Sequence, residues 1–130
     1  LHMDHNEASR RVLIVDDSST SRMITRRCLE MASADPMTFL EAPDGAEALS
    51  LLQNEPVDLI ITDINMPKMD GMTFVWKVKM NESLESTPIL VLSSMKNERM
   101  ETALLGLGVT SFIQKPISPA KVAEYVGAAV

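Results

Sequence analysis

The order of apolar runs and helical segments along this chain predicts an α/β fold: a doubly wound, five-stranded parallel sheet of order 2-1-3-4-5 with five helices. Three observations carry the prediction. Short, unalternating runs rich in β-branched residues recur at intervals, as expected of strands buried on both faces. Segments with apolar residues at helical spacing stand between them, and the strand-helix alternation repeats five times within 130 residues. That length suits a single core, and right-handed crossovers leave few topologies.

The first strand is read from Val12-Leu13-Ile14-Val15, and the helix after it from Ile24, Cys28 and Met31, which share one stripe. Thr38 to Ala42 is a weaker second strand whose mixed character suits the sheet edge. Asp44-Gly45-Ala46-Glu47 has the form of a capping box opening the second helix, ahead of Ala48, Leu49 and Leu52. Leu59-Ile60-Ile61 is the third strand; in the helix that follows, Trp76 is out of step with the apolar stripe and is expected to be exposed. Ile89 to Leu92 is the fourth strand. Met100, Ala103, Leu104 and Leu107 line the fourth helix, with Gly106 and Gly108 closing it. Val109 to Ile113, with a polar interruption, is the fifth strand. Ser118-Pro119 pairs an N-cap with a first-turn proline and leads into Val122 and Val126 of the last helix.

Composition narrows the function. A formal charge of −6 argues against a nucleic-acid surface, which needs clustered Lys and Arg, and pairs such as Arg10-Arg11 and Arg26-Arg27 are too short to reverse it. The longest apolar runs fall far below the ~20 residues of a membrane span. The single cysteine, Cys28, cannot form an internal disulfide, and the polar first ten residues lack a secretory core, so a cytoplasmic location is expected. Residues 1–9 read as a disordered tail, with Leu1-His2-Met3 a cloning remnant, and residues 10–130 as the domain. His2, Asp4 and His5 in that tail could chelate a metal, but incidental histidines are the better reading.

In such sheets ligands bind beyond the carboxyl ends of the strands. The residues just past those ends are Asp16 and Asp17, Asp63, Ser93 and Lys115. Three carboxylates at one edge repel one another by a few kcal/mol per pair at ~4 Å and an effective dielectric near 20, so the cluster calls for a cation. Oxygen donors without His or Cys favour Mg²⁺, with Mn²⁺ as the substitute. The chemistry this suggests is phosphoryl transfer to a carboxylate nucleophile, with the metal, the Lys115 ammonium and the Ser93 hydroxyl covering the phosphoryl oxygens.

At these residues the sequence resembles bacterial response-regulator receiver domains, especially single-domain chemotaxis regulators, a flavodoxin-like fold. Thr62-Asp63-Ile64-Asn65-Met66-Pro67-Lys68-Met69-Asp70-Gly71 reproduces that family's phosphorylation-site motif almost completely. Val15-Asp16-Asp17-Ser18, Glu41-Ala42-Pro43-Asp44-Gly45 and Phe112-Ile113-Gln114-Lys115-Pro116 match it in order and spacing, and the resemblance covers Arg11 to Val130. It implies that Asp63 is the phosphoacceptor, that Asp17, Asp63 and the Asn65 backbone carbonyl ligate the metal, and that Asp16 acts mostly through a bound water. It further implies that Ser93 is the switch hydroxyl, Phe112 its coupled aromatic, and the Lys115-Pro116 bond cis. The implied partners are a sensor histidine kinase or phosphotransfer protein, which donates from a phosphohistidine, and a downstream output protein or domain. That partner would read a face built by the fourth helix, fifth strand and fifth helix. The domain would then be a switch that assists its own phosphorylation and dephosphorylation, without turning over an external substrate.

Ser94 stands where the family usually has Ala or Gly, Val109 where it has Ala, and Phe112 where Tyr is frequent, so access to the phosphoryl group is expected to differ slightly. Met95 lies two positions beyond Ser93, where members of that family vary and, as the resemblance implies, tune acyl-phosphate lifetime. Two other functions fit parts of the pattern. An Asp-nucleophile Mg²⁺ phosphatase of the haloacid dehalogenase type would need an Asp at position 18, where Ser18 stands. A flavodoxin-like FMN carrier would need a phosphate-cradling loop where Asp16-Asp17 would repel the phosphate. A stand-alone chemotaxis regulator, a phosphorelay intermediate and a receiver cut from a larger protein all remain open at this level.

Overall fold

The structure, a computed structural model, describes residues 9–129, with side chains through Val126. The expectations for Leu1-His2-Met3 and for His2, Asp4 and His5 fall outside the described residues. The order is β1 (Arg10–Val15), α1 (Ser19–Ala32), β2 (Met37–Ala42), α2 (Gly45–Leu52), β3 (Leu59–Asp63), α3 (Gly71–Lys79), β4 (Ile89–Ser93), α4 (Glu98–Leu107), β5 (Ser111–Gln114) and α5 (Pro119–Ala129). All strand pairs are parallel in the order β2-β1-β3-β4-β5, as expected. Among the described residues no helix is long and apolar enough to cross a membrane.

Because successive side chains of a strand point to opposite faces, each central strand feeds two cores. Leu13, Val15, Ile60 and Val91 pack with Ala48 and Leu52 of α2, Phe74, Val75 and Val78 of α3, and Leu104 of α4. Val12, Ile14, Leu59, Ile61, Leu90 and Leu92 pack with Cys28 and Leu29 of α1 and Val122 and Val126 of α5. Burying one such aliphatic side chain stabilises the fold by roughly 1.5–3 kcal/mol, so double coverage makes β1, β3 and β4 the rigid centre. β2 lies at the edge, which explains its mixed sequence.

The helices depart from expectation in detail. In α1 the buried residues are Thr25, Cys28 and Leu29, whereas Ile24 and Met31 are exposed. The stripe is turned by one residue because a threonine, small enough to fit beneath the helix, takes the core position beside Ile24. In α4 only Leu104 is fully buried, Met100 and Leu107 are half-buried, and Ala103 is exposed. Gly106 lies inside that helix facing open space; Gly108 alone closes it, at φ +100. β5 begins at Ser111, so Val109 is buried ahead of the strand and outside it. The expected caps hold: Asp44 accepts from the Glu47 amide at 2.8 Å, and Ser118 Oγ from that of Lys121 at 3.2 Å. Trp76 is half exposed, as its register implied.

One backbone contact shapes the β3-α3 loop. The Gly71 amide donates to the Ile64 carbonyl at 2.9 Å, and a Cβ on Gly71 would stand 2.6 Å from Ile64 Cα and 2.8 Å from the Asp63 carbonyl oxygen. A side-chain atom, Ile64 Cδ1, is as close at 2.7 Å, but the two backbone atoms cannot swing aside. Gly71→Ala is therefore expected to destabilise the fold by about 3 kcal/mol in urea unfolding, and a loss below ~0.5 kcal/mol would contradict the close approach.

Candidate functional site

Strand ladders deliver the polar residues to one edge. Asp63 is the last residue of β3, and the ladders run on past the strands through Asp16 N–H to the Ala42 carbonyl (3.0 Å), Ile64 N–H to that of Leu92 (3.2 Å) and Lys115 N–H to that of Ser93 (2.8 Å). Carboxylate oxygens of Asp16, Asp17 and Asp63 all lie within 4.8 Å of one another. Asp16 and Asp63 are buried and Asp17 is exposed. Lys115 Nζ lies 3.3 Å from Asp16 Oδ2 and 3.2 Å from Asp63 Oδ2, bridging two of the three acids. The Lys115-Pro116 peptide bond is cis.

Backbone amides share the load. Asp63 Oδ1 accepts from the amides of Ile64 at 2.7 Å and Asn65 at 3.4 Å, and Asp16 Oδ1 accepts from the Ser18 amide at 3.0 Å. Ser18 caps α1, accepting from the Ser21 amide at 3.1 Å. Partial burial by itself would lower the Lys115 pKa, but the charges of Asp63 and Asp16 and their hydrogen bonds outweigh it and hold the ammonium above its ordinary value. At the observed spacing each carboxylate pair repels by about 3 kcal/mol at an effective dielectric near 20, and a single lysine cannot neutralise three acids. A converging set of oxygens, with no nitrogen or sulfur donor in the cluster, fits a hard divalent cation.

The other expected residues lie on β4, β5 and the β3-α3 loop. Ser93, at the end of β4, donates its hydroxyl to the Met95 carbonyl at 2.6 Å, so it is engaged with its own loop. Half-buried Phe112 and Ser93 line one groove of about 290 Å³ together with Met95, Lys96, Lys121 and Tyr125. Asn65 is exposed on the β3-α3 loop.

Sequence reasoning missed several participants. Arg22 on α1 donates to the Asp16 backbone carbonyl at 2.6 Å and pairs with Glu41 at 2.8 Å, tying the ends of β1 and β2 together. Ser21 places its hydroxyl 3.4 Å from Lys115 Nζ, and the Thr62 hydroxyl donates to the Asp63 carbonyl at 2.9 Å. Position on the first turn of the helix after the Asp pair was the available signal for Ser21 and Arg22.

Repulsion at the site has measurable consequences. Asp17→Asn is expected to stabilise the metal-free protein by about 1 kcal/mol in denaturant unfolding, and a loss of stability would contradict the picture. A lysine whose folded pKa is raised contributes fully below its unfolded value, and that contribution fades as pH climbs through the folded one. The stability gap between wild type and Lys115→Met is thus expected to be constant near neutrality and to shrink above the reference value of 10.5. A gap that widened there would have the wrong sign.

The chain matches the Response regulator receiver domain family over residues 12–127. It is 43% identical over 108 residues to the sensor histidine kinase TmoS of Ectopseudomonas mendocina, covering 83% of this chain but 11% of that protein. It is 39% identical over 110 residues to a chemotaxis protein CheY homolog of Campylobacter jejuni, covering 84% of this chain and 83% of that protein. The chain thus spans a small part of the first relative's length. Among solved structures, the chemotaxis response regulator CheY4 of Vibrio cholerae superposes with a TM-score of 0.82 at 32% identity, covering 94% of this chain and 99% of that one. Neither the phosphatase nor the flavin-carrier reading accounts for these matches. Strand order, the acidic edge and this kinship agree: the chain belongs to the response-regulator receiver domains.

Proposed function

We propose that Asp63 is the phosphoacceptor of this receiver domain, a switch occupying residues 10–130, and that Asp16, Asp17, Lys115 and Ser93 assist the transfer. The observation that carries the proposal is the convergence of three carboxylates and one ammonium at the edge where β1, β3 and β5 end. Asp17, Asp63 and the Asn65 backbone carbonyl would hold Mg²⁺ or Mn²⁺, with Asp16 reaching it through water. When bound, the ion supplies positive charge that neutralises the acids and the incoming phosphoryl oxygens.

The donor is a phosphohistidine of a sensor histidine kinase or a phosphotransfer protein. A carboxylate oxygen of Asp63 attacks phosphorus; an O–P bond forms as the P–N bond breaks, and the donor imidazole leaves with the bonding pair and takes up a proton. Lys115, already paired with Asp63, follows the charge onto a phosphoryl oxygen. Ser93 must exchange its bond to Met95 for one to the phosphoryl group, which draws the β4-α4 loop inward and frees Phe112 to move. The face formed by α4, β5 and α5 then changes for a downstream partner. The likeness to chemotaxis regulators favours chemotaxis as the pathway and the cytoplasm as the place.

Intact mass after incubation with acetyl phosphate and Mg²⁺ tests the assignment. Wild type is expected to gain one phosphoryl group, and Asp63→Asn or excess chelator none; equal gain by Asp63→Asn would refute it. Ser93→Ala is expected to retain the gain but to weaken phosphorylation-dependent partner binding, and unchanged binding would separate Ser93 from the switch.

A further inference from the structure

Lys68 is the only non-glycine residue with positive φ among the described residues, at +66. The Met69 amide donates to the Pro67 carbonyl across it at 2.7 Å, so a lysine sits at the centre of a γ-turn that side-chain-bearing residues rarely adopt. Such a turn persists only where its surroundings hold it. Lys68 Nζ lies 3.6 Å from Oδ2 of Asp44, a carboxylate that is 4% exposed. The other oxygen of Asp44 is engaged at the cap of α2 by the Glu47 amide. The lysine therefore answers a buried charge on a neighbouring loop.

The same loop follows Asp63, the last residue of β3, and carries Asn65 near its start. Its near limb is weakly held at Asn65, whose amide reaches Asp63 Oδ1 only at 3.4 Å. Its far limb is anchored to the β2-α2 corner: by the Lys68-Asp44 pair, and by Met69, whose Sδ would stand 3.0 Å from a Cβ placed on Gly45. Asn65 lies between the close backbone approach at Ile64 and Gly71 and this anchor.

We propose that Lys68, through its ion pair with buried Asp44, is a positioning residue that fixes the β3-α3 loop in the shape that presents the Asn65 carbonyl to the cation. The inference rests on the cation site proposed above. Its sign distinguishes it from simple electrostatics. Lys68 is a positive charge near a cation site, so as a bystander its removal would tighten cation binding. As a positioning residue its removal weakens binding, because a ligand loses its support.

Mn²⁺ affinity, measured by titration calorimetry on the full chain, decides between them, with thermal unfolding run beside it to confirm folding. Lys68→Gln is expected to weaken Mn²⁺ binding about tenfold. Lys68→Arg, which keeps the pair, is expected to retain wild-type affinity. Lys68→Gly relaxes the turn and preserves the fold, yet is expected to weaken binding as Lys68→Gln does. Asp44→Asn keeps an acceptor for the α2 cap, and combined with Lys68→Gln it is expected to add little to the single loss. Equal or tighter binding by Lys68→Gln or Lys68→Gly would overturn the proposal while leaving the cation site standing. Absence of Mn²⁺ binding by wild type would remove the cation site itself, and this inference with it.

Discussion

Like charge held together at the end of a parallel sheet is the constraint on which the rest of this protein depends. Asp16, Asp17 and Asp63 bring carboxylate oxygens within 4.8 Å because β1 and β3 pair in parallel and end at the same edge. Water is largely excluded from Asp16 and Asp63, so their charge is weakly screened. The fold meets the cost in layers. Backbone amides of Ser18 and Ile64 supply fixed dipoles, Lys115 supplies a whole charge, and what remains unbalanced is an electrostatic demand for a cation. A site left short of positive charge is a site ready to accept it.

The scaffold is most deeply buried beneath the charges and least so along α4 and β5. β1, β3 and β4 are covered on both faces, whereas α4 commits only Leu104 fully to the core and β5 is short and at the edge. An element with few buried contacts shifts at low cost in free energy. Ser93 links the two regions, standing at the end of a buried strand and opening the loop into α4, with its hydroxyl held by Met95. The groove it shares with Phe112 belongs to that loosely held side.

The strands were legible in the sequence because burial on both faces writes an unbroken apolar run, as in Val12 to Val15 and Leu59 to Ile61. The acids and Lys115 were legible for a related reason: Asp16, Asp17 and Lys115 follow strands, Asp63 ends one, and parallel strands end together. Helix faces were less so. Thr25 occupies a core position that a reading by hydropathy assigns to Ile24, and Ala103 is too small to report which way it faces. The supporting shell was hidden. Arg22 with Glu41 and Lys68 with Asp44 join loops and strand ends well separated in sequence, and nothing in their own neighbourhoods marks the partner. Local pattern reveals elements and their ends; long-range pairs depend on how loops lie across one another.

The most direct test of this account is the unfolding free energy as Mg²⁺ is raised at constant ionic strength. A cation bound only by the folded protein adds stability as RT ln(1 + [L]/Kd), about 2.7 kcal/mol at a hundred times Kd, and an acidic edge waiting for positive charge predicts that saturating rise. Stability that stayed flat with Mg²⁺, or that rose equally when Asp63 was replaced by Asn, would contradict it.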